Sequence, residues 1–172
     1  MTEPTDLSGR VCIVTGGGRG LGAATAAELA DRDATVVVND LGAGDEGGPA
    51  AEVVESIRDD GGDASTHLGD VSDLDYAASL VGDTLSDHGR LDSVVNFAGV
   101  LRDSYLTNMT EAEWDDVVRV HLKGHFALLR AAARHWREEA DGEALDPQRS
   151  FLAVTSRSAL GNVGQLNYST AK

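Results

Sequence analysis

Tyr168 and Lys172 stand four residues apart in Tyr168-Ser169-Thr170-Ala171-Lys172, the last five residues of the 172-residue sequence. On a helix that spacing places both side chains on one face. An ammonium beside a phenol favours the phenolate, and a phenol so placed exchanges a proton with an alcohol or carbonyl oxygen near neutral pH. A hydroxyl just upstream would polarise the same oxygen. Ser156 lies 12 residues before Tyr168, Thr155 lies 13 before and Ser158 lies 10 before. A Tyr-x-x-x-Lys spacing recurs by chance in many sequences, so its meaning depends on the elements around it.

A second constellation supplies that context. Thr15-Gly16-Gly17-Gly18-Arg19-Gly20-Leu21-Gly22 follows a short apolar run and opens a helical pattern. Glycines there let the backbone turn sharply and let a pyrophosphate approach amides at a helix N-terminus, where the dipole favours an anion. Asp40 ends the next β-branched run, 18 residues past Gly22, close to the roughly 20 expected of an acid that binds a ribose hydroxyl. A carboxylate there accepts hydrogen bonds from ribose hydroxyls and repels a 2′-phosphate, which favours NAD over NADP. Arg19 opposes this, being a basic side chain within reach of such a phosphate.

The elements that must position these groups alternate along the chain. Residues 10–16 (RVCIVTG), 34–40 (ATVVVND), 64–72 (ASTHLGDVS), 91–99 (LDSVVNFAG) and 150–156 (SFLAVTS) read as strands. Helical patterns lie between them, with Pro49 in the first turn of one, Ser72 as a cap for the next, and a Thr110/Glu113 capping box ahead of a long helix over residues 111–139. The stretch 42–48 reads as a loop and 141–149 as a polar connector. Strands that are β-branched without period-two alternation, separated by helices, predict one domain with a doubly wound parallel sheet covered on both faces, a Rossmann-like α/β fold.

Composition narrows the function classes. With 14 Lys+Arg against 29 Asp+Glu the formal charge is −15, which argues against nucleic acid, since phosphate binding needs clustered Lys and Arg. Between residues 40 and 92 there are fourteen acids and two arginines; this reads either as a surface adapted to high salt or as an ordinary acidic protein. The single cysteine, Cys12, sits in an apolar run and reads as a buried core thiol, and no His/Cys cluster points to a metal. No window is long and apolar enough for a membrane span, and MTEPTDLSGR lacks the character of a secretory signal, so a soluble cytoplasmic protein is expected.

TGGGRGLG, Asp70-Val71, Asn96-Phe97-Ala98-Gly99 and YSTAK follow one another in the order seen in short-chain dehydrogenases/reductases, and the resemblance runs through the whole sequence. More narrowly, VVVNDLG, GVLRDSYLTNMTEAEWDDVVRVHLKGHF and GNVGQLNYSTAK resemble the branch containing (3R)-hydroxyacyl-CoA dehydrogenases of type 2 multifunctional enzymes. The resemblance implies a nicotinamide cofactor, a small-molecule alcohol or ketone as substrate, and a homo-oligomer, dimer or tetramer. It implies that Gly16, Arg19, Gly20, Leu21 and Gly22 line the pyrophosphate, that Asp40 holds the ribose, and that Asp70 and Val71 contact the adenine. Asn96, Ala98 and Gly99 would border the nicotinamide. Tyr168 would be the acid/base, assisted by Lys172, which also holds the nicotinamide ribose, and by Ser156, with Thr155 second.

Phe97 stands where the family often has a second Asn. His121 occupies the helix position where many members place the Asn of a proton relay, and is the relay candidate here. Family members also run on for two more strands beyond the point matching Lys172, so the sequence reads as the cofactor half plus the catalytic side chains. Two functions follow: an oxidoreductase of secondary alcohols and ketones, with 3-hydroxyacyl-CoA as candidate substrate, or a catalytically incomplete dinucleotide-binding fragment that needs a complementing chain.

Overall fold

The computed structural model describes residues 5–42, 48–142 and 149–172. Most of the predicted 42–48 loop and of the 141–149 connector lies outside the described residues. The elements run β1 (Val11–Thr15), α1 (Gly20–Ala30), β2 (Thr35–Asp40), α2 (Gly48–Asp59), β3 (Asp63–Leu68), α3 (Leu74–His88), β4 (Ser93–Asn96), α4 (Glu111–Val118), α5 (Gly124–Ala140), β5 (Ser150–Ala153) and α6 (Leu166–Ala171). The strands form one parallel sheet in the order β3-β2-β1-β4-β5.

The absence of period-two alternation has its reason in the packing. On β1 and β2, Cys12, Val14, Val36 and Val38 point to one face, where they meet Ala26, Val54 and Ile57 of α1 and α2. Ile13, Val37 and Val94 point to the other, against Ala77, Leu80, Leu128 and Ala132 of α3 and α5. Both faces are dry, so successive residues are all apolar. The Cys12 thiol is buried as expected, and that burial, with the nearby Asp92 charge, pushes its pKa up to about 11.

At the amino ends of the strands, remote from the glycine loop, Asp92 is buried and accepts from the Val11 amide, Arg90 and Arg149, with Arg10 at 3.4 Å. Burial raises its pKa, but the Arg90 and Val11 hydrogen bonds and the Arg149 and Arg90 charges outweigh it and hold the carboxyl below the usual range. The predicted Thr110/Glu113 capping box is present at α4. The expected Ser72 cap is not. Asp73 caps α3, its carboxylate accepting from the amides of Asp75 and Tyr76, while Ser72 is buried and bonded to Asp70 and Arg119.

The long helix expected over 111–139 is interrupted. A π-helical turn, Arg119–Lys123, joins α4 to α5, with the Gly124 amide reaching back to the Arg119 carbonyl. β5 forms the sheet edge, and Leu152 on it is exposed.

Candidate active site

In the order β3-β2-β1-β4-β5 the chain reverses direction of travel between β1 and β4, and ligands of open parallel sheets bind at the carboxyl ends of the strands at such a point. A cleft of about 390 Å³ lies there. Gly16, Arg19, Asp40, Asp70, Val71, Ala98 and Gly99, all candidates from the sequence, line it together with Asn39, Arg102, Asp116 and Arg119, which were not candidates. A larger hollow, about 690 Å³ between α1 and α2, contains none of the predicted groups.

The glycine loop is folded onto its own helix. Gly16 has φ +61°, and a Cβ there would sit 2.9 Å from the Ala98 nitrogen; a Cβ on Gly22 would sit 2.1 Å from the Gly16 carbonyl oxygen. Neither position admits a side chain. Arg19 is the N-cap of α1 without any side-chain cap bond, and the first turn holds no acid, so the amides at that end are left for an anion. Leu21, in the first turn, is 72% exposed, and Gly20 begins the helix at φ +55°. A carboxylate closes the far side of the loop: Asp40 accepts from the Gly18 amide at 2.9 Å and the Leu41 amide at 2.8 Å. Each oxygen keeps a second lone pair free for a hydroxyl.

Asp70 is held by a network that its sequence neighbourhood does not announce. It accepts from the Ser72 amide and hydroxyl and pairs with Arg119, which also pairs with Asp116 at 2.8 Å. Burial raises its pKa, but the Ser72 hydrogen bonds and the Arg119 charge outweigh this and the carboxyl stays ionised below the usual range. Asn39, 1% exposed, donates to the His67 and Gly69 carbonyls and the Tyr76 hydroxyl, tying the end of β2 to the segment that carries Asp70.

On the other side of the reversal, Asn96 is buried; the Thr15 hydroxyl donates to its Oδ1, and its Nδ2 has no partner among the described residues. His121, in the π-helical turn, is also buried. Its Nε2 meets the Val100 carbonyl at 2.8 Å and the Val100 amide at 3.1 Å, and its Nδ1 has no partner among the described residues. Burial lowers its pKa; the Val100 bond opposes this, and the Lys172 and His125 charges lower it further, so the ring is neutral at pH 7.

The His121 ring meets the Tyr168 ring edge-on, with centroids 5.0 Å apart. Lys172 Nζ lies 5.7 Å from the Tyr168 ring centroid and donates to the Val154 carbonyl at 2.7 Å. Burial lowers the Lys172 pKa. The two upstream hydroxyls are both engaged: Ser156 Oγ accepts from the Ser158 amide and caps a 3-10 turn, Arg157–Leu160, and Thr155 donates to the Lys172 carbonyl.

The site therefore offers an uncapped helix N-terminus beside glycines, a carboxylate at the end of β2, two buried polar atoms without partners among the described residues, and a phenol with an ammonium over its ring. These features fit an extended dinucleotide. Asn39, Ser72 and Arg119 carry no mark of a site in the sequence, since their deciding partners are distant along the chain. Among the described residues no cluster of His, Cys, Asp or Glu has the makings of a metal site, and no helix is long and apolar enough to cross a membrane.

The chain is similar to the hydroxyacyl-CoA dehydrogenase ChsB1 of Mycobacterium tuberculosis, with 44% identity over 99% of this chain and 55% of that protein. It is similar to the peroxisomal multifunctional enzyme type 2 of Mus musculus, with 40% identity over 100% of this chain and 23% of that one. The crystal structure of a short chain dehydrogenase from Mycobacterium avium superposes with a TM-score of 0.91 at 43% identity, covering 97% of this chain and 59% of that one. The chain spans about half the length of the first two curated relatives it matches. The model of the short chain dehydrogenase family matches residues 10–172. With the parallel sheet, the glycine loop and the Tyr168–Lys172 pair in place, the chain belongs to the short-chain dehydrogenase family.

Proposed function

We propose that this chain binds NAD and carries the proton-transfer groups of an oxidoreductase that interconverts a secondary alcohol and a ketone, with 3-hydroxyacyl thioesters as the substrate class. The observation that carries the reading is the Lys172 ammonium over the Tyr168 ring, one imidazole away from the Gly99 wall of the cleft. The names of the hydroxyacyl-CoA dehydrogenase and multifunctional-enzyme relatives support the substrate class.

In the oxidation direction the Tyr168 oxygen takes the substrate hydroxyl proton while the carbinol carbon gives up hydride and becomes a carbonyl carbon. NAD, when bound, supplies the hydride acceptor. Lys172, tethered to the Val154 carbonyl, holds its positive charge 5.7 Å from the centre of the Tyr168 ring. Ser156 is assigned as the second hydrogen-bond donor to the substrate oxygen, ahead of Thr155, whose hydroxyl is already given to the Lys172 carbonyl. His121, neutral and fixed to Val100, shapes the wall against which Tyr168 rests.

The preference for NAD over NADP is supported by Asp40, whose carboxylate has its free lone pairs at the end of β2 and would repel a 2′-phosphate. Self-association is supported by Leu122, Phe126 and Leu129, exposed and spaced by four and three along one stripe of the α4–α5 helix.

Tyr168→Phe tests the chemistry. The protein should keep its NAD affinity and lose oxidation of a 3-hydroxyacyl thioester by roughly 10²- to 10⁴-fold, the range of general acid–base catalysis. Retention of turnover by Tyr168→Phe would overturn the assignment.

A further inference from the structure

Asn167, the residue before Tyr168, has no solvent exposure, which is unusual for a side-chain amide. Its Nδ2 donates to the Arg102 carbonyl at 2.9 Å and to the Glu113 carbonyl at 3.1 Å, and its Oδ1 accepts from the Tyr168 amide at 2.8 Å. Two carbonyls on one side and an amide on the other leave a single orientation for the side chain. One residue thus joins the segment after β4, the helix α4 and the helix that bears the phenol.

α6 needs such a fastening. Its N-cap, Gln165, makes no side-chain cap bond. The amides of its first turn lack internal partners. Asn167 Oδ1 satisfies the one that belongs to Tyr168. The segment it grips through Arg102 also holds His121 through Val100, so the two rings that meet at 5.0 Å are referenced to the same stretch of backbone.

We propose that Asn167 is a positioning residue for Tyr168: by binding the Arg102 and Glu113 carbonyls and the Tyr168 amide together, it sets where the phenol oxygen lies relative to the cleft. The proposal rests on the proton-transfer role given to Tyr168 above. Its physical content is the cost of misplacement, since a shift of about 1 Å at a reacting group costs on the order of 10²-fold in rate.

Asn167→Asp separates this role from simple packing. The change keeps size and shape and keeps an acceptor for the Tyr168 amide, but turns a donor toward two carbonyls into a carboxylate oxygen that repels them. Burial among carbonyls raises the pKa of the introduced carboxyl, and on protonation it regains one donor. In the full-length protein, with 3-hydroxybutyryl-CoA and NAD, we expect kcat at about pH 8 to fall roughly ten- to a hundredfold with the NAD Kd changed by no more than about twofold. The ratio of variant to wild-type kcat should then rise as the pH is lowered to about 6. Asn167→Ala, measured alongside, should lose kcat similarly and show no recovery with acid.

Folded Asn167→Asp and Asn167→Ala proteins with wild-type kcat would overturn the proposal. So would failure of both to fold, because the residue would then serve the fold and not the placement of Tyr168. Running Tyr168→Phe in the same series keeps the two readings apart. If Tyr168→Phe is as active as wild type, the chemistry is wrong; if it is inactive while the Asn167 variants are fully active, only the positioning role falls.

Discussion

Gly99→Ala should drive His121 out of its seat against Tyr168. A Cβ at position 99 would lie 2.4 Å from His121 Cε1 and 3.1 and 3.2 Å from the two ring nitrogens. Carbon atoms rest at roughly 3.5–4.0 Å, so the ring would have to retreat by about 1 Å or more. It has nowhere to go: it is 3% exposed, tied to Val100 by Nε2, and faced by Tyr168. Gly99 does not use the left-handed backbone region, so alanine brings no strain of its own and the whole cost comes from the collision. Overpacking of this kind costs about 1–3 kcal/mol, and losing the Val100 bond adds about 1 kcal/mol, for a total of roughly 2–4 kcal/mol. For a chain of this size that is a fall in Tm of roughly 5–12 °C. The assay is a double-mutant cycle by thermal and urea unfolding of wild type, Gly99→Ala, His121→Ala and the double variant. Without the imidazole the new methyl meets open space, so Gly99→Ala should cost close to nothing in the His121→Ala background, giving a coupling of about 2–4 kcal/mol. Additivity within about 0.5 kcal/mol would refute the reasoning.

Two further outcomes are expected. Asp40→Ala removes the charge that opposes a 2′-phosphate and the acceptor offered to a ribose hydroxyl; a hydrogen bond to a charged group is worth about 1.5–3 kcal/mol, so NAD binding should weaken about tenfold or more while NADP binding weakens less, as read by titration of both. Loss of affinity by the same factor for both would remove Asp40 as the discriminator. Asp92→Asn should lower stability by roughly 1–3 kcal/mol near pH 7, because the buried Asp92 carboxylate is the shared counter-charge of Arg149, Arg90 and Arg10. The folded pKa of Asp92 is depressed, so its contribution is complete above the unfolded value of about 3.9 and is lost as the pH falls through the lower folded value. The gap in Tm between wild type and Asp92→Asn should therefore shrink in acid, and a gap constant from about pH 7 to about pH 3 would contradict the linkage.

What could be read from the sequence is what is local. The β-branched runs of β1, β2 and β4 announced themselves because each strand buries both faces. The glycine loop was legible because turn, helix start and carboxylate fall within 25 residues, from Gly16 to Asp40. Where the reading failed, the deciding partner was remote. Ser72 and Asp73 are adjacent and both suit a cap; Asp73 takes that place, and Ser72 is bonded to Arg119, 47 residues away. Asn167 reads as a polar residue before a tyrosine, and its function lies in carbonyls 54 and 65 residues distant.

The π-helical turn shows the same limit more sharply. Val117, Val120, His121, Gly124, Ala127 and Leu128 are buried at successive steps of three and one residues, a pattern indistinguishable from an unbroken α-helix. Yet the turn changes which carbonyls are left over, and the His121 carbonyl is met by the His125 ring at 2.6 Å. Two histidines four residues apart carry no mark of that in a sequence. Gly99 carries less still, because its contribution is a missing side chain: the volume a Cβ would occupy is taken by an imidazole that arrives from 22 residues further along. A position defined by what another residue puts there becomes visible only when the two are brought together, and for that reason the Gly99–His121 coupling tests the active-site geometry more directly than either residue alone.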